Sequence, residues 1–253
     1  MSEPFTDVAH LGHVEMFTDR FAESLDFFTR VFGLKLSADD GDSAYLRAWD
    51  DYEFHSLKLT RHHTTGVGHI GYRAASPEAL ERRVKAIEAS GYVTHGWADG
   101  DLGHGPAFRF EDPFGHVFEL YWETVRYQPD ADDRPALKNM SSRFHAQGAS
   151  PRRIDHLNLL SEDVTVFRDF MQTCLGSRVT EQIRLDNGRL GGCIMSPMPP
   201  ISARTSCAPP TSSLKTACIS RPGRTSTPSR APFSCMSGSR PATGWNWPMP
   251  APG

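Results

Sequence analysis

The chain has 253 residues, of which 38% are hydrophobic and 23% charged, with a formal net charge of −3 at pH 7. This length suits one large or two small domains, each able to bury a core. The balanced charge gives no reason to predict nucleic acid or an anionic membrane as a partner. The N-terminus lacks the pattern of a secretory signal, and no stretch is long enough to span a bilayer. We therefore expect a cytoplasmic protein whose five cysteines are reduced.

The first predicted module begins with a strand that carries His13. Phenylalanine and leucine then recur at helical spacing over residues 19–32, and Gly33 fits the left-handed stop of that helix. Alternating apolar residues predict three strands after the helix. These strands are predicted at Leu34–Ser37, Ala44–Trp49 and Ser56–Arg61.

The second predicted module repeats this order, beginning with a strand that carries His69. Its helix has Ser76 as N-cap, Pro77 at the first helical position and Gly91 as its stop. Two βαβββ modules in tandem, each with one amphipathic helix on a sheet, predict an α+β domain over residues 1–125. Each half-sheet alone would leave an open edge, so we expect the two halves to pair. The later strands of the second module are predicted at Tyr92–Trp97, Phe108–Glu111 and His116–Tyr121.

Residues 126–152 contain charges and prolines but little apolar periodicity, so we interpret them as a linker. A third module is predicted over residues 153–192. It begins with the alternating stretch Ile154–Leu160, a predicted strand that carries His156. A helix capped by Ser161–Asp163, a strand at Arg178–Leu185 and a hairpin turn at Asn187–Gly188 are predicted to follow.

The composition changes after residue 192. No Asp or Glu occurs beyond Asp186 and no His beyond His156, while Ser, Pro, Thr and Arg dominate without a helical or strand period. This composition predicts that residues 193–253 are disordered.

A set of three residues in the first half of the chain has the pattern of a metal site. Two histidines and one carboxylate on neighbouring strands can occupy one face of an iron coordination sphere and leave positions open for substrate and dioxygen. His13 and His69 open the two modules, and Glu119 lies on the last predicted strand of the second. Val117, Glu119 and Tyr121 share one face of that strand, so the carboxylate is expected to point toward both histidines. We assign surface or structural roles to His62, His63, His95, His104, His116 and His145.

Four stretches carry a family resemblance: Leu11–Val14, Ala44–Trp49, Gly115–Tyr121 and, above all, Arg153–Asn158. Together they resemble the type I extradiol ring-cleaving dioxygenases, and in particular catechol 2,3-dioxygenase, of the vicinal oxygen chelate (glyoxalase/bleomycin-resistance/dioxygenase) superfamily. The resemblance implies four βαβββ modules in two domains, a homo-oligomer, and Fe(II) as cofactor. It also implies cleavage of catechol or a substituted catechol by dioxygen.

The resemblance implies where the iron would be held. In that family the ligands come from the first strand of the third module and from the first and last strands of the fourth. Only His156 matches such a position here, with Asn158 on the same face as either a supporting group or an ordinary polar residue. His13, His69 and Glu119 occupy the equivalent positions of a domain that is not catalytic in the family, which implies an inherited and inactive pattern. The family's acid/base and substrate-binding residues have no match, so we expect this polypeptide to be inactive.

The residues after Gly192 read differently in another frame. In the shifted frame, each new codon joins the third base of one original codon to the first two bases of the next. Trp245–Pro248 then yields Glu-Leu-Ala whichever synonymous codons were used. In that frame Gly191–Met195 permits Arg-Leu-His-His-Val, which resembles the missing histidine strand. We therefore hypothesise that a deletion with a frameshift near Arg189–Gly192 removed the fourth module and left the C-terminal domain incomplete.

Two functions of different class follow from these patterns. The first is an iron-dependent extradiol dioxygenase by descent whose translated form is inactive. The alternative is a non-enzymatic small-molecule-binding protein built on the intact N-terminal domain, like the drug-sequestering members of the superfamily.

Overall fold

The structure, a computed structural model, describes residues 7–196. Its first module follows the predicted order, with a strand, a helix and three further strands. The helix passes from α-helical to π-helical geometry at Phe27 and ends before Gly33, whose φ is +86°. The elements are β1 (Val8–Thr18), α1 (Phe21–Asp26, continued by a π-helix at Phe27–Val31), β2 (Lys35–Asp39), β3 (Ser43–Arg47) and β4 (Leu57–Arg61).

The second module has the same order and confirms its predicted helix ends. Ser76 caps the helix, because its side chain accepts a hydrogen bond from the backbone N–H of Ala79 at 3.1 Å. Gly91 ends it with a φ of +78°. The elements are β5 (Gly66–Ala74), α2 (Pro77–Ser90), β6 (Thr94–Ala98), β7 (Ala107–Glu111) and β8 (Val117–Tyr121).

The two half-sheets join into one eight-stranded sheet, in the order β2-β3-β4-β1-β5-β8-β7-β6. The joint is the antiparallel pair of β1 and β5, the first strands of the two modules. Within each module the first strand also pairs in parallel with the last, β1 with β4 and β5 with β8. The predicted α+β fold of tandem βαβββ modules and the predicted pairing of the half-sheets are thus confirmed. The side chains that point inward from β1, β5 and β8 meet at the centre of the sheet.

The third predicted module is formed only in part. Helix α3 (Val164–Leu175) begins at Asp163, whose carboxylate accepts hydrogen bonds from the first turn, and ends at Gly176 with a φ of +63°. Strands β9 (Arg178–Arg184) and β10 (Leu190–Ser196) form an antiparallel hairpin, as the Asn187–Gly188 turn predicted. The predicted strand at Ile154–Leu160 is wrong, because these residues have no regular secondary structure. The first strands of the other modules pair with each other, and this stretch has no such partner among the described residues.

Helix α3 packs on the second module. Phe170, Met171, Cys174 and Leu175 are buried in the same core as residues of β5, α2, β7 and β8. The hairpin that follows α3 reaches Ser196, so the prediction of disorder from residue 193 is wrong for residues 193–196. The remainder of that prediction lies outside the described residues.

Residues 126–152, interpreted as a linker, are anchored on the first module. The Asp50 carboxylate accepts a hydrogen bond from the Ser141 backbone N–H at 2.9 Å, and the Trp49 and Phe144 rings lie 5.5 Å apart. The described residues all belong to one compact unit, so this segment does not divide two compact units here. The division into domains at 1–125 and 153–192 stays a prediction. None of the described helices is both long and apolar enough to cross a membrane.

Asp51 is a buried carboxylate in the loop between β3 and β4. Its Oδ2 atom accepts no hydrogen bond, and burial raises its pKa to about 6 despite hydrogen bonds from Ser56 and the Ala48 backbone. A carboxyl group whose pKa is higher in the folded chain than in the unfolded one favours folding at low pH. That contribution is lost as the pH rises from the unfolded pKa through the folded pKa.

We therefore expect Asp51→Asn to raise the free energy of unfolding near pH 8 by an amount on the order of 3 kcal/mol, since one pKa unit corresponds to about 1.4 kcal/mol. Near pH 4 the two proteins should be nearly equal, because the folded chain then holds a protonated Asp51. Urea unfolding at both pH values measures this. Asp132→Asn, on an exposed residue, is the control. An equal difference at both pH values would contradict the account.

Candidate metal centre

His13 and His69 meet at the joint between the two half-sheets. His13 lies on β1 directly opposite Gly71 of β5, two residues from His69. Both side chains are buried, and their Nε2 atoms lie 2.9 Å apart. The two imidazoles can approach so closely because residue 71 is glycine. A Cβ atom at this position would lie 2.2 Å from the His13 ring. The strand pairing therefore directs two imidazoles at one point.

Glu119 reaches the same point from β8. This strand runs parallel to β5 with Glu119 opposite Gly71, and its side chain is fully buried. Its carboxylate oxygens lie 3.5 Å from His13 Nε2 and 3.7 Å from His69 Nε2. The structure thus brings together the three residues that the strand pattern placed on one face.

Asp101 completes the group, and the sequence reasoning missed it. It lies in the loop between β6 and β7, and its Oδ2 atom is 3.2 Å from His69 Nε2 and 3.5 Å from His13 Nε2. One ligand-type atom from each of the four residues lies within 4.8 Å of the others. The available signal was the run of Gly, Asp and His in residues 99–105, which places metal-ligand side chains in one short loop. We call His13, His69, Asp101 and Glu119 the central cluster.

Charged residues around the central cluster hold its outer atoms. The Arg109 Nε donates to Glu119 Oε2 at 2.9 Å, and the Lys58 ammonium donates to Asp101 Oδ1 at 2.7 Å. Glu15 Oε2 lies 2.9 Å from His69 Nδ1. Lys58 also pairs with Glu15 at 3.1 Å. Each of these side chains fixes the orientation of one member of the cluster.

Two further histidines lie beside His13. The His55 and His104 rings stack on each other at 4.5 Å, and His104 stacks on Tyr121 at 4.4 Å. Together with His13 they form a second group that could hold a metal ion. His104 does lie in a turn, as predicted, but its side chain is fully buried against the cluster rather than on the surface. His55 was not singled out from the sequence.

Burial and neighbouring charges set the protonation of these groups. Burial alone would lower the pKa of His69, but the neighbouring Asp101 and Glu15 carboxylates raise that pKa to about 9. Burial lowers the pKa of His13. The pKa of Glu119 falls to about 2, since the neighbouring histidines outweigh its burial, and Asp101 has a pKa well below its usual range for the same reason.

The model of the Glyoxalase/Bleomycin resistance protein/Dioxygenase superfamily matches residues 10–120. The match runs from β1 into β8 and includes all four members of the central cluster. The chain contains a domain of this superfamily. The predicted resemblance to this superfamily is therefore confirmed for residues 10–120.

Curated relatives of this superfamily extend the likeness beyond that domain. A metapyrocatechase of Geobacillus stearothermophilus is 44% identical over 194 residues, which are 77% of this chain and 59% of the relative. A manganese-dependent 2,3-dihydroxybiphenyl 1,2-dioxygenase of Geobacillus genomosp. 3 is 33% identical over 194 residues, which are 76% of this chain and 61% of the relative. This chain thus spans about three fifths of the length of these relatives.

A solved structure of the superfamily shares the fold. It is homoprotocatechuate 2,3-dioxygenase from Brevibacterium fuscum in complex with 3,4-dihydroxyphenylacetate. The TM-score is 0.66 at 28% identity, over 76% of this chain and 57% of that chain. Extradiol dioxygenases are therefore among both the sequence relatives and the structural neighbours of this chain.

His156, the residue matched to the family's metal ligand, lies apart from the central cluster. Its side chain is 79% exposed, and its Nδ1 atom is 2.9 Å from the carboxylate of its neighbour Asp155. Asn158 is exposed as well. The stretch around them does not form the predicted strand, so it presents neither side chain toward other ligand-type groups of the superfamily domain.

Proposed function

We propose that this chain represents a metal-dependent extradiol dioxygenase that acts on catechol or a substituted catechol with dioxygen. The support is the 44% identity to a metapyrocatechase together with the two βαβββ modules that the structural neighbours share. We propose Fe(II) as the metal of the whole protein. Mn(II) is the competing ion, since one relative is named as manganese-dependent.

We further propose that this 253-residue polypeptide does not cleave the ring. The observation that carries this proposal is the exposure of His156, 79% in its side chain, with Asp155 beside it. In the described part of the chain, the convergent groups of three or more ligand-type side chains all contain His13. An iron ion at His156 therefore does not fit the described residues, and we assign no reaction step to it.

The central cluster offers no place for a catechol. His13 and Glu119 are fully buried, and His69 and Asp101 are 2% and 7% exposed. The His55, His104 and Tyr121 rings pack around His13 within 5.5 Å. An aromatic diol would have to displace these packed rings before both of its oxygens reached a metal there.

The test is turnover with Fe(II) or Mn(II) supplied separately. The purified chain is incubated with catechol in air-saturated buffer, while oxygen uptake and the yellow ring-fission product are followed. We expect no turnover above that of the metal salt alone, with the Geobacillus metapyrocatechase as positive control. Metal-dependent turnover that His156→Ala abolishes would overturn the proposal. Saturable catechol binding by calorimetry without oxygen uptake would instead favour a non-enzymatic binding protein.

A further inference from the structure

We propose that the central cluster is a closed site for one divalent first-row metal ion, held for structure rather than for ring cleavage. The donor atoms His13 Nε2, His69 Nε2, Asp101 Oδ2 and the Glu119 oxygens are separated by 2.9 to 3.7 Å in their close contacts. Ligands that each lie about 2.0–2.2 Å from a tetrahedral zinc ion stand roughly 3.3–3.6 Å from one another. The two imidazoles already have nearly this spacing from each other and from the carboxylates.

In each of the two carboxylates of the central cluster, one oxygen accepts no hydrogen bond. Arg109 binds the Oε2 atom of Glu119, while Oε1 is buried and accepts no hydrogen bond. Lys58 binds the Oδ1 atom of Asp101, while Oδ2 is likewise buried without one. A buried carboxylate oxygen without a hydrogen bond costs free energy, and a metal ion would remove that cost. The free Asp101 oxygen lies beside both Nε2 atoms, and the free Glu119 oxygen lies 3.5 Å from His13 Nε2.

The histidines are oriented in the way that metal-bound histidines are. Glu15 lies 2.9 Å from His69 Nδ1, which holds the Nδ1 proton and leaves Nε2 as the free donor atom. The His13 and His69 Nε2 atoms face each other at 2.9 Å, so a proton or a cation must lie between them. Two imidazoles and two carboxylates are a donor set suited to zinc, cobalt, iron or manganese.

The site is closed, which separates it from the proposed ring cleavage. Catalytic zinc sites keep one position for water or substrate, whereas structural sites have four protein donors. Here four protein donors converge and all four are buried. This inference does not rest on the proposed function, because it concerns the N-terminal domain and requires no catechol.

The experiment measures metal binding by the full chain. The protein is stripped with chelator, dialysed against Co²⁺ or Zn²⁺ and passed over a desalting column. We expect one metal per chain by mass spectrometry, a visible Co²⁺ spectrum typical of four nitrogen and oxygen ligands, and a higher Tm for the loaded protein. Glu119→Gln and Asp101→Asn should each weaken binding at least about tenfold, since each removes an anionic ligand of nearly the same shape. His156→Ala should bind like the original chain.

Two results would overturn the proposal. One is a folded original chain that holds neither Co²⁺ nor Zn²⁺ above the buffer background. The other is loss of binding in His156→Ala with binding retained in Glu119→Gln. If circular dichroism shows that a carboxylate variant does not fold, X-ray absorption of the zinc-loaded original chain decides. Scattering from two imidazoles supports the central cluster, and scattering from one or none contradicts it.

Discussion

Phe170→Ala is expected to destabilise the second βαβββ module by about 3–5 kcal/mol, the usual range for removing a buried aromatic side chain. Phe170 lies on α3 and is fully buried. Its ring centroid lies 5.1 Å from that of Tyr92, 6.0 Å from Phe110 and 5.6 Å from Phe118. Because three of these rings belong to the second module, the cavity would open in that module's core.

Urea unfolding followed by circular dichroism measures the loss, and amide hydrogen exchange in β8 locates it. Val166→Ala is the matched control, since Val166 lies on the same helix and is 41% exposed. We expect that control to change stability by less than about 0.5 kcal/mol. If Phe170→Ala frays α3 but leaves exchange in β8 unchanged, α3 is not part of the core of the second module.

The position of α3 shows a limit of sequence reasoning. The helix itself, with its cap at Asp163 and its stop at Gly176, was predictable because local spacing and capping determine it. The pattern also predicted a buried face. It did not identify what covers that face, because an apolar stripe fits any apolar surface and the partner is chosen by the whole fold.

The central cluster shows the same limit. His13, His69 and Glu119 were found because each lies on a strand whose alternation fixes which face it occupies, and the module repeat fixes which strands meet. Asp101 and His55 were missed because both lie in loops, where no period fixes direction. Only the packing of the loop on the sheet brings Asp101 within 3.2 Å of His69.

The wrong prediction of a strand at Ile154–Leu160 has a related cause. Its alternating sequence matches the first strands of the other two modules, so the local signal was correct for a strand. Those strands are stabilised by pairing, β1 with β5 along most of their length. A strand without a neighbour leaves its backbone groups to water, and alternation alone does not hold it.

Gly71→Ala should disrupt the central cluster, because a methyl group at this position of β5 would clash with the His13 ring. The new Cβ atom would lie 2.2 Å from His13 Cε1 and 2.5 Å from Nδ1. The His13 ring cannot turn away freely, because the rings of His55, His69 and His104 lie 4.7–5.1 Å from it. Inserting a methyl group into a filled core typically costs about 1–3 kcal/mol, and we expect the upper part of that range.

Gly66→Ala is the matched control for this prediction. Gly66 lies on the same strand, and a Cβ atom there would meet nothing within 4 Å. The same change should therefore be neutral or slightly stabilising, since alanine restricts the unfolded chain. Urea unfolding of both variants measures the difference. If Gly71→Ala is as stable as Gly66→Ala, the His13 ring moves without cost. The cluster would then not be the rigid set of donors that a closed metal site requires, because such a site depends on ligands held in place by their packing.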